Sequence, residues 1–176
     1  MAPVVALTGF MGSGKSTIGL AVASRLAWRF ADLDDEIERR SGRSIPEWFR
    51  EEGETAFRAI EARTLGELLR DAVVQEGGGL VLALGGGAVT APSSAALVRE
   101  SAFVVYLAVS PRVAWQRVRR SARPLATDEE AFVALACTRE SAYLSSADAV
   151  VECGSRCASD LAAEVVGLLA GRGLAA

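Results

Sequence analysis

Histidine is absent from the 176-residue sequence, and cysteine is scarce. Without histidine, the chain has no imidazole base for Ser-His-Asp or Cys-His chemistry and no histidine ligand for a metal. Its three cysteines, Cys137, Cys153 and Cys157, are an odd number in the C-terminal third and form no paired framework. We therefore expect a cytoplasmic protein in a reducing compartment, with Cys153 and Cys157 as small packing residues.

Lysine is nearly absent as well. Of the 19 lysine and arginine residues, Lys15 is the only lysine. Because arginine serves at every other cationic position, Lys15 marks a place where an arginine would be a poor chemical substitute.

The sequence also lacks long apolar runs and an excess of positive charge. The longest apolar run, residues 102–109, is about half as long as a membrane-spanning helix, and the first residues predict no signal peptide. A formal net charge of -3 argues against a nucleic-acid or membrane-surface binder. With 51% apolar and 23% charged residues, the composition is that of one globular domain.

Short apolar runs alternate with segments of helical spacing. The pattern predicts strands at 4–8, 30–33, 80–84, 103–107 and 149–152. It predicts helices at 16–28, 34–40, 44–53, 54–71, 92–99, 111–120, 129–144 and 159–169, and a loop at 121–128. Ser44 with Glu47 indicates a capping box, and Ser110 before Pro111 indicates an N-cap. Five strands separated by helices predict a parallel sheet covered on both faces, with ligands beyond the carboxyl ends of its strands.

Residues 9–17 fit the P-loop pattern G-x-x-x-x-G-K-[ST] between a predicted strand and a predicted helix. Glycines let backbone N–H groups turn toward phosphate oxygens, and the helix N-terminus adds a favourable dipole. Lys15 can reach the β- and γ-phosphates, and Ser16 offers its hydroxyl to magnesium. The motif favours a nucleoside triphosphate over a mere glycine-rich turn. The residues that it predicts for binding the nucleotide are Gly12, Ser13, Gly14, Lys15, Ser16 and Thr17.

Asp32 and Asp34 stand at the end of the second predicted strand. If the backbone is extended there, both side chains point the same way. Asp32 would then hold a magnesium-bound water, and Asp34 would orient a substrate hydroxyl and accept its proton. The alternative is that Asp34 only caps the following helix.

Arg58 and Glu61 are spaced to touch at the edge of the apolar face of a helix. A surface ion pair is one interpretation, and it would contribute little to stability. The other is an arginine fork that Glu61 holds and that is aimed at a ligand carboxylate.

A glycine triplet follows the third predicted strand directly. Gly85, Gly86 and Gly87, called the glycine loop below, would let a ligand approach the backbone and offer their N–H groups to it. A plain turn is the alternative. The other triplet, residues 77–79, precedes its strand and is interpreted only as a turn.

Five arginines lie close together in the sequence: Arg112, Arg117, Arg119, Arg120 and Arg123. Nucleic-acid binding is disfavoured, because the chain is acidic overall and only one aromatic residue lies among them. We instead expect Arg117 to stack on a base and Arg123 to lie on a lid over the phosphates.

Together, these motifs resemble the shikimate kinase family. The matching segments are 9–17, Asp32-x-Asp34 with Ile37-Glu38, Ser41-Gly42 to Ile45, Gly53-Glu54, Phe57-Arg58 to Glu61, the glycine loop, Arg123-Pro124-Leu125, and Arg139 to Tyr143. They occur in the order of the family and cover the chain from residue 4 to about 157. The P-loop is shared with many proteins, whereas the Asp-x-Asp, Phe-Arg and triple-glycine set is far more specific.

The resemblance implies an α/β fold, a single three-layer P-loop NTPase domain of the nucleoside monophosphate kinase-like type over residues 1–176. Substrate-binding helices are expected at about 34–62 and a lid loop at about 119–129. The implied reaction is transfer of the γ-phosphoryl group of ATP to the 3-hydroxyl of shikimate in aromatic amino-acid biosynthesis. The implied cofactor is Mg²⁺, the partners are ATP and shikimate, and the expected state is a monomer.

The resemblance also implies roles for individual residues. Lys15, Asp34 and Arg123 would be catalytic, with Asp34 as the base that also binds the shikimate hydroxyls. Arg58 and Arg139 would hold the carboxylate of shikimate, next to the backbone of Gly85, Gly86 and Gly87. Arg117, Arg123 and Arg156 would contact ATP, and Ser16 and Asp32 the metal. The sequence departs from the family at Ala126, where a second leucine is usual, and in the small, polar segment 145–148.

Three alternatives remain at this point. A related small-molecule kinase such as a gluconate kinase would share the P-loop and the sheet, but has no need of two carboxylate-binding arginines. A catalytically silent binding protein resembling the family would not need the complete polar set that is present. A nucleotide-hydrolysing switch would need a residue placed to activate water, and the sequence offers no clear one.

Overall fold

The protein folds around one sheet of five parallel strands. The computed structural model describes residues 3–74, 78–119 and 128–175. The strands are β1 (Val4–Thr8), β2 (Arg29–Asp32), β3 (Leu80–Ala83), β4 (Phe103–Ala108) and β5 (Ala149–Glu152). They are arranged in the order β2-β3-β1-β4-β5, and all neighbours are parallel. The five predicted strands are confirmed, each within one residue at either end.

Helices connect the strands and follow the last one. They are α1 (Lys15–Leu26), α2 (Leu33–Ser41), α3 (Ile45–Glu51), α4 (Gly53–Val74), α5 (Pro92–Ser101), α6 (Pro111–Val118), α7 (Glu129–Ser146) and α8 (Ala158–Gly171), with a short 3₁₀ helix at Ala88–Thr90. The predicted capping box starts α3, where Ser44 and Glu47 each accept the backbone N–H of the other. Ser110 caps α6 as predicted. No helix in the described part of the chain is long and apolar enough to cross a membrane.

Helices cover each face of the sheet, as predicted. On one face, Val5 and Leu7 of β1 pack with α1 and α8. On the other, Ala6 belongs to a larger cluster with α4, α5 and α7, because successive strand residues point to opposite faces. Cys153 is buried in the first cluster, as expected. The prediction that Cys157 is a packing residue is wrong, since it is exposed at the start of α8.

Three segments leave the sheet at the same edge. The register pairs Leu7 of β1 and Asp32 of β2 with Ala83 of β3, so the carboxyl ends of these strands are level. The P-loop follows β1, α2 follows β2, and the glycine loop follows β3. Because β3 lies between β2 and β1, the segments that the sequence singles out converge at this edge.

Candidate active site

The P-loop curls around the ammonium group of Lys15. Lys15 Nζ donates hydrogen bonds to the carbonyl oxygens of Gly9, at 2.8 Å, and Phe10, at 3.1 Å. Gly12 and Gly14 have φ angles of 83° and 95°, a conformation that residues with side chains rarely adopt. These turns bring the lysine to the first position of α1, where the helix dipole favours an anion.

An open cleft of about 490 Å³ lies beyond the carboxyl ends of the central strands. Its volume is within the usual range for sites that bind small molecules. The lining residues are Gly12, Gly14, Lys15, Ser16, Thr17, Asp32, Asp34, Asp35, Leu84, Gly86, Arg117 and Val118. The structure thereby brings together most of the residues predicted for the nucleotide, the metal and the base. Ser13, also predicted, is buried within the P-loop instead.

Asp32 and Asp34 both line the cleft, but the backbone between them is not extended, so the condition for parallel side chains is not met. β2 ends at Asp32, and α2 begins at Leu33. Asp32 Oδ1 accepts the backbone N–H of Asp34 at 3.0 Å, so the capping residue is Asp32 and not Asp34. A carboxylate at this position satisfies a free N–H of the first turn, which starts the helix earlier than the apolar pattern indicates.

The second carboxylate oxygen of Asp32 links β2 to the P-loop. Asp32 Oδ2 accepts a hydrogen bond from Ser16 Oγ at 2.5 Å. One carboxylate therefore caps α2 and contacts the P-loop hydroxyl at the same time. A hydroxyl and a carboxylate in contact supply oxygen ligands of the kind that Mg²⁺ prefers.

Arg58 is held between two carboxylates of α4. Its Nη1 lies 2.7 Å from Oε2 of Glu61, and its Nη2 lies 3.0 Å from Oε1 of Glu54. The surface ion-pair interpretation does not hold, because Glu61 is only 4% exposed. Burial raises the pKa of the Glu61 carboxyl, and the charge of Arg58 opposes that rise. The two carboxylates fix the orientation of the guanidinium.

The glycine loop packs directly against these side chains. A Cβ on Gly85 would lie 2.7 Å from Oδ1 of Asp34 and 2.7 Å from Oε1 of Glu61. A Cβ on Gly87 would lie 2.5 Å from Nη1 of Arg58. A side chain on Gly85 or Gly87 would force Asp34, Glu61 or Arg58 out of its observed position, a close packing that a plain turn does not require.

Arg139 reaches the glycine loop from α7. Its Nη1 donates to the carbonyl oxygen of Gly86 at 3.3 Å, and its guanidinium carbon lies 6.0 Å from the centroid of the Phe10 ring. Tyr143, one turn further along α7, donates its hydroxyl to the same carbonyl at 2.5 Å. Arg58 and Arg139, which are far apart in the sequence, thus contact one three-residue loop.

Arg117 joins the P-loop to the segment after β5. It donates to the carbonyl oxygens of Gly12, at 3.0 Å, and Gly154, at 3.1 Å. Because it also lines the cleft, it is placed where a base attached to a P-loop triphosphate could reach it.

The other two arginines predicted to contact ATP have no described place in the cleft. Arg156 forms an ion pair with Glu164 of α8 and is not among the described residues that line the cleft. Arg123 lies outside the described residues, as does the predicted lid except for its two ends.

The sequence matches one known family over nearly its whole length. The model of the family described as shikimate kinase matches residues 11–170. The chain belongs to the shikimate kinase family. A shikimate kinase of Geobacter sulfurreducens is 41% identical over 167 residues, which are 92% of this chain and 87% of that protein.

Solved structures share the fold of this shikimate kinase family member. A shikimate kinase from Acinetobacter baumannii in complex with shikimate has a TM-score of 0.90 and 35% identity, and the match covers 98% of this chain and 95% of that one. A deoxyadenosine kinase from M. mycoides with bound dATP has a TM-score of 0.64 at 16% identity over 95% and 99% of the two chains, and it shows the fold alone. The expected P-loop NTPase fold is confirmed.

Membership of the shikimate kinase family decides the class of reaction. The chain is an ATP-dependent kinase that acts on an alcohol group of shikimate. A gluconate kinase, a silent binding protein and a nucleotide-hydrolysing switch, the alternatives that the sequence left open, are therefore set aside.

Gly85→Ala is expected to lower kcat/KM for shikimate by roughly 5- to 100-fold, because the new methyl group would push Asp34 and Glu61 apart. Overpacking of this kind costs about 1–3 kcal/mol. Steady-state kinetics with shikimate as the varied substrate measures the effect.

The matched control is Gly167→Ala, in the interior of α8. A Cβ there meets no atom within 4 Å, so activity should stay at the wild-type level. The unfolding free energy should rise by about 0.5–1 kcal/mol, as is usual for such a change in a helix. Equal loss of activity in both variants would contradict the packing argument.

Sequence reasoning gave no site role to two residues, although Tyr143 was part of a quoted motif. Asp35 lines the cleft beside the two predicted aspartates, and Tyr143 contacts the glycine loop. Asp35 offered no separate signal within an acidic run. Tyr143 offered a signal, because it lies one helical turn from Arg139 and the two side chains therefore share a face of the helix.

Proposed function

We propose that the cleft binds MgATP on the P-loop and shikimate on the glycine loop, and that the γ-phosphoryl group passes to the 3-hydroxyl of shikimate. The observation that carries this proposal is the convergence of Arg58 and Arg139 on the glycine loop. The loop itself lies against the P-loop, since a Cβ on Gly86 would be 3.5 Å from the backbone nitrogen of Met11. Two guanidinium groups suit a carboxylate, and a P-loop beside them suits a triphosphate.

On the acceptor side, Arg58 and Arg139 hold the carboxylate of shikimate in this proposal. Gly86 donates its backbone N–H, and the lack of side chains on Gly85 and Gly87 permits close approach. Asp34 contacts the hydroxyl groups and accepts the proton of the 3-hydroxyl as the phosphoryl group is transferred. Its position in the cleft and against the glycine loop supports this role.

On the nucleotide side, residues 12–17 bind the phosphates and Lys15 stabilises the charge of the transferring group. Arg117 lies against the adenine, which its place at the cleft supports. We keep Arg123 as the arginine of a lid over the phosphates and Arg156 as a further nucleotide contact, both from the resemblance.

Ser16 and Asp32 are the residues that we propose for Mg²⁺. Their side-chain oxygens are 2.5 Å apart at the cleft. In the described part of the chain, no group of three or more His, Cys, Asp or Glu residues could hold a metal ion alone. These two side chains would supply only part of the ligand set of Mg²⁺, and phosphate oxygens and water would supply the rest, as is usual for magnesium with a nucleotide. When bound, Mg²⁺ supplies charge neutralisation at the β- and γ-phosphates.

We also propose a cytoplasmic monomer of one kinase domain over residues 1–176, without nucleic-acid or membrane partners. The free, exposed thiols of Cys137 and Cys157 suit a reducing compartment. Light scattering after size exclusion should give a mass near 18.4 kDa. A mass of twice that value would contradict the monomer.

The decisive experiment measures ADP release from MgATP with shikimate, with gluconate and with no acceptor. We expect release with shikimate alone, loss of turnover with excess EDTA, and a product heavier by one phosphoryl group. NMR of the product should locate the phosphate on the 3-oxygen. Release without an acceptor, or with gluconate at the same rate, would contradict the proposal.

Arg58→Ala should raise the KM for shikimate by about ten- to a hundredfold and leave the KM for ATP unchanged. Loss of one charge-assisted pair is worth about 1.5–3 kcal/mol. Initial rates with each substrate varied in turn measure both constants.

Arg63→Ala is the matched control for Arg58, because Arg63 lies on the same helix with its side chain 69% exposed. Its KM values should equal those of the wild type. If the two variants have the same KM for shikimate, Arg58 does not bind the acceptor.

A further inference from the structure

Two side chains of α7 donate to one carbonyl oxygen of the glycine loop. The hydroxyl of Tyr143 donates to the carbonyl oxygen of Gly86 at 2.5 Å. The positive charge of Arg139 lies close enough to this hydroxyl to oppose the rise in the pKa of Tyr143. Nη1 of Arg139 in turn donates to the Gly86 carbonyl at 3.3 Å. The Gly86 carbonyl thus accepts from both side chains, as its two lone pairs allow.

Packing leaves the Tyr143 hydroxyl little freedom. The side chain is 1% exposed, and its ring stacks on Tyr106 with the centroids 5.3 Å apart. Burial raises the pKa of Tyr143 to about 12, so the hydroxyl keeps its donor proton throughout the range of ordinary assays. Because the peptide group is planar, fixing the Gly86 carbonyl also fixes the plane of the Gly86–Gly87 peptide, next to the N–H of Gly86 that the proposed function uses.

We propose that Tyr143 is a positioning residue for the acceptor: its hydroxyl holds the Gly86 carbonyl, to which Arg139 also donates, so that Arg139 and the glycine loop meet the acceptor carboxylate without rearrangement. This inference rests on the proposed function, which gives Arg139 and the glycine loop their part in binding. Tyr143 acts through these groups and does not itself touch the reacting atoms. Preorganisation of this kind contributes to affinity by reducing the cost of ordering on binding.

The test compares Tyr143→Phe with Tyr106→Phe. Both remove one hydroxyl from the same stacked pair, but among the described residues only that of Tyr143 bonds to Gly86. Calorimetry would give the Kd of shikimate and of its methyl ester, which lacks the carboxylate charge. Kinetics would give both KM values, and thermal unfolding would give Tm.

For Tyr143→Phe, we expect the Kd and KM of shikimate to rise about 3- to 10-fold, the usual effect of losing one hydrogen bond. The preference for the acid over the ester should fall by the same factor, with the KM for ATP unchanged. Tyr106→Phe should keep all these values. A lower Tm with an unchanged ratio of the two Kd values, for the acid and for the ester, would overturn the proposal. Tyr143 would then stabilise the fold without positioning the groups that bind the carboxylate.

Arg139→Ala distinguishes a failure of the positioning role of Tyr143 from a failure of the proposed carboxylate site. If it abolishes the acid preference while Tyr143→Phe keeps the preference, the positioning role is wrong and the proposed function stands. If Arg139→Ala also keeps the acid preference, the carboxylate assignment is wrong, and the inference about Tyr143 is overturned with it.

Discussion

Replacing Lys15 with alanine is expected to lower kcat by about 10²- to 10³-fold, the usual effect of removing one preorganised donor from a transition state. The ammonium group is held in place by the carbonyl oxygens of Gly9 and Phe10. It therefore needs no rearrangement of the loop to meet the charge that develops on the transferring group. Single-turnover and steady-state rates at saturating MgATP and shikimate measure the loss.

Lys15→Arg distinguishes the shape of the cation from its charge. The arginine keeps the positive charge, but its planar fork is larger than the ammonium group that the loop encloses. We expect kcat to fall nearly as far as in the alanine variant. Turnover close to the wild-type rate in the alanine variant would exclude the proposed role of the P-loop.

Replacing Asp34 with asparagine should reduce kcat by about 10²- to 10⁴-fold, because an amide keeps the shape of the side chain but cannot accept the proton of the hydroxyl. The affinity for ATP should change little, since the P-loop hydroxyl of Ser16 is bonded to Asp32 and not to Asp34. Rate measurements with each substrate varied, together with ATP titration of the free enzyme, separate the two effects.

Asp160→Asn is a matched control for Asp34→Asn. Asp160 also lies in the first turn of a helix, so its replacement removes a carboxylate with the same helix-dipole interaction, at an exposed site on α8. Its kinetics should equal those of the wild type. If Asp34→Asn weakens ATP binding and leaves kcat unchanged, Asp34 belongs to the metal site instead.

Local sequence signals were enough to predict the scaffold of the site. Short apolar runs located all five strands, helical spacing located the helices between them, and the Ser44 and Ser110 caps were predicted from the sequence. The spacing patterns and the helix caps each depend on residues that are close together in the chain. The rule that parallel strands bind ligands at their carboxyl ends then placed the P-loop and the glycine loop together.

Contacts between segments that are far apart in the chain could not be predicted from these local patterns. The spacing of Arg58 and Glu61 predicted their ion pair, but not its burial, because the glycine loop that packs against Glu61 comes from β3. The glycine triplet at 77–79 looked like a simple turn. A Cβ on Gly79 would lie 2.4 Å from the ring of Trp28, so this glycine is required by packing across the sheet.

Two local signals compete at the end of β2, which explains why the strand ends one residue earlier than predicted. The apolar pattern extended β2 through Leu33, whereas the acidic side chain of Asp32 favoured a helix start. The chain forms the helix start, so Asp32 caps α2, Asp34 lies in its first turn, and both side chains line the cleft.

The single lysine of the chain makes the active site separately observable by spectroscopy. Protein grown with lysine labelled with ¹³C at its ε-carbon carries one labelled site, which is Lys15. The labelled carbon carries the ammonium group that is hydrogen-bonded to two P-loop carbonyls, and no other lysine signal overlaps its resonance. Nucleotide titrations, proton exchange and the catalytic cycle can therefore be followed at one atom, without a mutation or an attached probe.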